Sequence, residues 1–335
     1  MGERRDDGVT VEDRSMTSLD LRPLGTSSLT VTTIGLGCNN FGREGTVTAT
    51  QEGTTAVLSE AFDLGVTLLD TADIYGAEPG VSETLMGVAL KGHRDDVILA
   101  TKFGHSEFDT GLLPGVPKGS RDYIRASIDG SLARLQVDYV DLYQLHTPDP
   151  ATPIEETITA LDELVTEGKI RFFGHTQFDA EQARLADAAA SALGGGRFVS
   201  SQNEYNLLAR GIEKEILPTI EELGLGFLPF FPLNNGLFTG KFHRNDRPAD
   251  TRIMRQRPHV VEDAPWDLME RYEQFCAERG ITMLEATFAW LLSLPSMSSV
   301  IAGATRPEQL RQNAKASVAW RATEAEIAEI SAIFA

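Results

Sequence analysis

From residue 33 onward, short apolar runs and amphipathic stretches alternate along the chain, and few folds accommodate that rhythm. Runs at 33–36, 66–69, 97–100, 140–145, 170–173, 198–201, 226–231 and 300–301 read as strands. Between and after them, residues 82–91, 120–135, 154–168, 180–191, 211–222, 266–293 and 307–315 read as helices. Eight strand candidates in 335 residues suit a closed (β/α)8 TIM barrel. The competitor is an open doubly wound sheet, which carries a Gly-x-Gly-x-x-Gly turn after its first strand. Here Gly35-Leu36-Gly37-Cys38-Asn39-Asn40 has asparagine where the third glycine belongs, which favours the barrel.

Charge narrows the partners. Thirty Lys and Arg against 49 Asp and Glu leave a net charge of −19, a surface that repels nucleic acid and anionic membranes. An anionic cofactor therefore needs a local cationic pocket. No stretch approaches the roughly 18 to 20 apolar residues that cross a bilayer, and residues 1–14 lack the apolar core of a secretory signal, so a cytoplasmic location is expected. Cys38 and Cys276 cannot build a disulfide framework, and neither zinc-site nor His-x-x-x-His spacing occurs, so no metal site is expected. Residues 1–18 carry many charges and no Leu, Ile or Phe, and read as a disordered tail; residues 19–335 read as one domain.

Three strand candidates end in polar residues that packing does not require: Val66-Thr67-Leu68-Leu69-Asp70, Val97-Ile98-Leu99-Ala100-Thr101-Lys102 and Asp141-Leu142-Tyr143-Gln144-Leu145-His146. In a barrel such ends converge on one face. Period-two alternation sets Lys102 with Ala100 and Ile98, and His146 with Gln144 and Leu142, so both can point inward above the core. The loop Thr71-Ala72-Asp73-Ile74-Tyr75-Gly76 is short enough to fold Tyr75 over the same mouth. A phenol ordinarily titrates near pH 10, and an ammonium beside it favours release of the proton, while a carboxylate keeps the ammonium charged. A Tyr, Lys, Asp and His gathered there suit proton transfer to a carbonyl oxygen, with hydride drawn from a cofactor.

These segments, Leu69 through Gly76, Ala100-Thr101-Lys102-Phe103 and Asp141 through His146, resemble the active-site motifs of the aldo-keto reductase superfamily. The resemblance spans about residues 20 to 330 and matches four catalytic positions in order. It implies a (β/α)8 barrel with an N-terminal β-hairpin and extra C-terminal helices. It also implies NADPH (NADP+) as cofactor, a small aldehyde or ketone as substrate, and Asp70, Tyr75, Lys102 and His146 as the catalytic tetrad, with Tyr75 the general acid.

By the same resemblance, Thr176 and Gln177 stand where the family's Ser-Asn pair holds the nicotinamide carboxamide, Gln177 being a longer amide. Gln202 matches a third carboxamide ligand, and Phe230 the aromatic that stacks on nicotinamide. Phe231 replaces a common serine. Leu233 and Lys241 match the pyrophosphate loop, and Gly303, Arg306, Gln309 and Asn313 the adenosine-phosphate segment. Pro307 suits the first turn of a helix whose free N–H groups favour an anion, and Arg306 adds a charge able to grip a 2′-phosphate.

Blander readings stand beside these. Lys102 with Asp70 alone could be a structural ion pair, Arg306 could decorate a solvated helix start, and Phe230 with Phe231 could be core. His175 should turn toward the helix layer and pack there, and Gly194-Gly195-Gly196 is read as a flexible turn. Two other functions remain: an NADPH-binding regulatory or channel-associated subunit with vestigial activity, and a Schiff-base aldolase using Lys102. Substrate specificity is expected from loops near 104–119 and 232–264 and from the segment after 315.

Overall fold

β-Branched and leucine-rich runs that are buried on both faces favour parallel pairing, with helices covering the outside. In the computed structural model, which describes residues 18–335, eight strands do so. An antiparallel hairpin, β1 (Leu21–Pro23) and β2 (Thr30–Thr32), comes first. The parallel strands are β3 (Ile34–Gly37), β4 (Leu68–Asp70), β5 (Ile98–Phe103), β6 (Val140–Leu145), β7 (Ile170–Thr176), β8 (Phe198–Gln202), β9 (Gly226–Phe227) and β10 (Val300–Gly303). Their order is β10-β3-β4-β5-β6-β7-β8-β9. The ring closes at Phe227, whose N–H donates to the Ser296 carbonyl at 2.8 Å and whose carbonyl accepts from Ser298 N–H at 3.0 Å. The expected tail lies outside the described residues, apart from Ser18.

Helices follow the strands: α1 (Gln51–Leu64), α2 (Val81–Ala89), α3 (Arg121–Leu135), α4 (Ile154–Thr166), α5 (Ala180–Leu193) and α6 (Ile216–Leu223). After β9 come α7 (Arg252–Gln256), α8 (His259–Glu262), α9 (Trp266–Arg279) and α10 (Met283–Leu292), and after β10 come α11 (Pro307–Ala319) and α12 (Glu324–Ile333). Their ends are set by local chemistry. Capping boxes start α5 (Asp179 with Gln182), α10 (Thr282 with Glu285) and α12 (Thr323 with Glu326), and left-handed glycines end α1, α5, α6 and α9. The segment after 315, one of the stretches expected to carry specificity, is largely helical, as the expected extra C-terminal helices require. In it Ile330 is fully buried, the Trp290 indole N–H donates to Ser331 Oγ at 2.8 Å, and Arg210 reaches the Ser331 carbonyl at 2.8 Å.

Two apolar layers result. One lies between strands and helices. The other fills the barrel with Leu68, Ala100, Leu142, Val199, Leu228 and Ile301, and the hairpin closes its floor with Leu24, Leu29 and Val31. Each plugging side chain is worth about 1.5–3 kcal/mol in apolar burial. At the tip Gly25 adopts φ +57°, and a Cβ there would lie 2.5 Å from Gly226 N and the Val199 carbonyl oxygen. Only glycine lets the hairpin approach the barrel floor so closely. With the floor sealed, the open mouth is at the strands' C-terminal ends.

Candidate active site

Alternation along the strands carries the polar residues to that mouth. Leu68, Ala100 and Leu142 belong to the inner cluster, so Asp70, Lys102 and Gln144, two residues further on, share their inward direction. His146 directly follows β6, its backbone N–H donating to the Phe103 carbonyl at 2.7 Å. The loop after β4 is stitched to β5 by Thr71 N–H to the Ala100 carbonyl at 2.9 Å and Asp73 N–H to the Lys102 carbonyl at 3.1 Å. Gly76, at φ +127°, then turns the chain into α2; a Cβ there would come within 2.6 Å of Val81 Cβ. Tyr75 is thereby held above Lys102.

The four tetrad candidates meet. The Lys102 ammonium, fully buried, donates to Asp70 Oδ2 at 2.5 Å and to the Thr71 carbonyl at 3.0 Å, and its Nζ lies 3.5 Å from Tyr75 Oη. Burial works against the ammonium, but Asp70 and then Tyr75 more than offset it and hold Lys102 above the ordinary lysine range. The second oxygen of Asp70 accepts from Gln144 Nε2 at 3.1 Å and Gln202 Nε2 at 3.3 Å. The His146 ring meets the Tyr75 ring edge-on, centroids 5.8 Å apart. Burial, reinforced by the charge of Lys102 and by His105, pushes His146 well below the usual histidine range, so its imidazole is neutral at pH 7. A neutral imidazole offers one N–H to a substrate oxygen.

Gln144 was not singled out from the sequence, although its inward position two residues before His146 was readable there. Its amide orients Asp70. Cys38, whose backbone N–H donates to the Asp70 carbonyl at 2.8 Å, is buried with its thiol pushed well above the usual range. His175 packs as expected, stacked on Phe178 at 4.3 Å and edge-on to Phe198 at 5.3 Å.

The cofactor candidates fall into three groups. Thr176 ends β7, Gln177 follows it, Gln202 ends β8 and Phe230 lies just past β9, and of these Gln202 hydrogen-bonds Asp70. The Thr176 hydroxyl donates to the His146 carbonyl, Gln177 Nε2 reaches the same carbonyl at 3.2 Å, and Gln177 N–H donates to the Gln202 carbonyl at 2.9 Å. The Phe230 ring is half-buried and edge-on to Phe231 at 5.3 Å. Leu233 is buried at the start of the loop to Lys241, where Gly236 takes φ +101° and the Lys241 ammonium lies 3.6 Å from the place a Gly236 Cβ would occupy. Burial lowers the proton affinity of Lys241. Gly303, Arg306, Gln309 and Asn313 gather at the start of α11, with no hydrogen bond to the tetrad among the described residues. There Arg306 is the exposed N-cap with no side-chain cap bond, Pro307 opens the helix, Gln309 Oε1 accepts from Thr305 N–H at 2.8 Å, and Asn313 is buried.

This donor set fits a dinucleotide. Lys241 and Arg306 have no ion-pair partner among the described residues, and the first turn of α11 presents backbone N–H groups to an anion. Among the described residues, four of the five non-glycine residues with positive φ, Gln177, Phe231, Asn234 and Asn235, lie in the loops around this mouth. Strain of that kind persists where geometry is needed for binding. Among the described residues no cluster of side chains could hold a metal ion, and no helix is long and apolar enough to cross a membrane.

Comparison with known proteins agrees with the geometry. The chain is similar to the L-glyceraldehyde 3-phosphate reductase of Escherichia coli (33% identity over 311 residues, 89% of this chain and 87% of that one). It is also similar to "Probable aldo-keto reductase 1" of Glycine max (34% over 321 residues, 94% and 89%). A third relative is the "Probable voltage-gated potassium channel subunit beta" of Oryza sativa (32% over 311 residues, 89% and 91%). Residues 33–335 match the family model described as the aldo/keto reductase family, and with the barrel and its polar mouth in place, the chain belongs to that family.

Proposed function

We propose that this chain, acting in the cytoplasm as one domain over residues 19–335, reduces a small aldehyde or ketone to the alcohol with NADPH. The observation that carries the reading is the position of the Lys102 ammonium, 2.5 Å from Asp70 and 3.5 Å from Tyr75 Oη, at a mouth that also holds a neutral His146. When bound, the nicotinamide supplies the hydride. Tyr75 Oη gives its proton to the carbonyl oxygen, and Lys102 compensates the negative charge left on the phenol. Asp70, steadied by Gln144 and Gln202, keeps Lys102 charged. His146 orients the carbonyl by hydrogen bonding. Thr176, Gln177 and Gln202 hold the carboxamide, Phe230 lies against the nicotinamide, Leu233 and Lys241 take the pyrophosphate, and Gly303, Arg306, Gln309 and Asn313 the adenosine phosphate. A lysine held this firmly as ammonium is a poor nucleophile, which weighs against an aldolase.

Similarity to the Escherichia coli and Glycine max reductases supports the reading; similarity to the Oryza sativa channel subunit supports a second one, NADPH binding in a regulatory assembly. The test is Tyr75→Phe, followed by NADPH oxidation at 340 nm on a carbonyl panel and by NADPH binding through intrinsic fluorescence. Turnover should fall by about 10² to 10⁴ with binding retained. Unchanged turnover in the folded variant removes Tyr75 as the acid, and saturable NADPH binding by wild type without turnover on any carbonyl favours the regulatory reading.

A further inference from the structure

Asp73 stands two residues before Tyr75 on the loop after β4, and the proposed chemistry does not use it. Its backbone N–H donates to the Lys102 carbonyl at 3.1 Å, so the loop rests directly on the residue whose ammonium faces the phenol. Between Asp73 and α2 the loop is closed by Tyr75 N–H to the Ala72 carbonyl at 3.1 Å and Ser82 N–H to the Tyr75 carbonyl at 2.9 Å. The Asp73 side chain reaches α3 on the outer side of the barrel, where Oδ2 lies 3.3 Å from Ser127 Oγ. The carboxyl is buried, and Oδ1 has no hydrogen-bond partner among the described residues.

These surroundings suit a carboxylic acid better than a carboxylate. The charged and titratable groups that face Asp73 are Glu83 on α2, Arg134 and Tyr123 on α3, Lys118 just before α3, and Tyr143 on β6. On β5, Lys102 turns its ammonium inward to Asp70. Both outer cations are engaged elsewhere. Arg134 Nε donates to Glu83 Oε2 at 2.7 Å, while Glu83 Oε1 accepts from Thr101 Oγ1 at 2.6 Å. Lys118 donates to the His105 and Phe108 carbonyls. Asp73 has no ion-pair partner among the described residues. A buried carboxylate with one long hydrogen bond and one orphaned oxygen is costly, whereas the neutral acid donates to Ser127 Oγ and leaves only a carbonyl oxygen unpaired. Burial and then Glu83 raise the carboxyl to about 7, against Arg134, Ser127 and Lys118.

We propose that Asp73 is a positioning residue for Tyr75: as the neutral acid it pins the outer side of the Tyr75 loop to α3 through Ser127, and its ionisation releases that pin and lowers turnover. The inference rests on the reductase reading. Ionisation leaves a buried charge that is relieved only when the loop admits water, and Tyr75 moves with the loop.

The experiment uses the full chain, NADPH and whichever of glyceraldehyde, butyraldehyde and benzaldehyde turns over fastest. Asp73→Asn keeps the shape and the donor of the neutral acid but cannot ionise. It should hold kcat within about twofold of wild type at pH 6, and between pH 6 and pH 8.5 wild type should fall about tenfold further than the variant. Asp73→Ala should lose about tenfold already at pH 6, with the NADPH dissociation constant unchanged. Ser127→Ala, which deletes one hydroxyl, should lower kcat in the same direction and guards against misfolding of the alanine variant at 73. A wild-type pH profile that superposes on that of Asp73→Asn overturns the proposal. So does an asparagine variant as impaired as the alanine variant at pH 6. Wild type that oxidises NADPH with none of the three aldehydes removes the reductase reading instead. Backbone hydrogen exchange over residues 71–77, corrected for its intrinsic pH dependence, then decides: protection lost toward pH 8.5 in wild type but kept in Asp73→Asn supports the pin, and equal protection in the two overturns it.

Discussion

Replacing Asp70 by asparagine tests the central electrostatic argument, because every partner of the carboxylate is known. Asp70 accepts from Lys102 on one oxygen and from Gln144 and Gln202 on the other. An asparagine must point its NH2 group either at the Lys102 ammonium or at the two glutamine amides, and both arrangements set donor against donor. With the NH2 turned to the ammonium, Lys102 would keep only the Thr71 carbonyl and the Tyr75 oxygen while remaining fully buried; with it turned away, the ammonium would keep a neutral amide oxygen in place of a carboxylate, and the two glutamine amides would lose their acceptor. Breaking a buried pair in this way costs about 3–5 kcal/mol. The pH dependence has a definite sign. In wild type the folded-state pKa of Lys102 is raised, so its contribution is complete at neutral pH and is lost only as pH rises through that value. Without Asp70, burial is the dominant influence and the folded pKa drops below the unfolded one, so the variant's stability should recover as pH rises. Urea unfolding followed by far-UV circular dichroism at pH 7 and pH 9.5 reads both effects, with m-values compared to confirm two-state behaviour. A loss under about 1 kcal/mol at pH 7, or a deficit that stays flat or widens toward pH 9.5, would refute the reasoning.

Two further perturbations concern the scaffold. His175 is buried with neither ring nitrogen hydrogen-bonded among the described residues, and burial pushes it down to about 3. A depressed histidine contributes stability above its unfolded pKa that is lost as pH falls, so His175→Leu should match or exceed wild type at pH 7 and lose about 2 kcal/mol less between pH 7 and pH 5. Identical urea midpoints for the two proteins at pH 5 would contradict this. Gly25→Ala places a Cβ against backbone atoms at 2.5 Å in a left-handed conformation. A loss of at least about 2 kcal/mol is expected in thermal or urea unfolding, and an unchanged transition would show that the hairpin does not press on the barrel floor.

Much of the site was legible in the sequence because its residues stand at strand ends. Asp70 and Lys102 are two residues, and His146 four, beyond an inward apolar position, and backbone geometry alone fixes that direction. The same pattern anticipated the packing of His175 on the helix side. Thr176 shows where such reasoning stops: its inward direction was foreseeable, but the engagement of its hydroxyl by the His146 carbonyl was not. The second oxygen of Asp70 likewise receives amides from β6 and β8, a convergence that no local window contains.

What the chain by itself determined is therefore periodic: eight strands, helices that cover them, caps that end them, and a set of polar residues on the inward faces. These follow from repeats of two and about 3.6 residues and from short-range hydrogen bonding. The tertiary structure alone decided which of those polar groups touch and how the ring closes through Phe227. Those outcomes depend on loop paths and on closure between distant segments, and neither leaves a period in the sequence to be read.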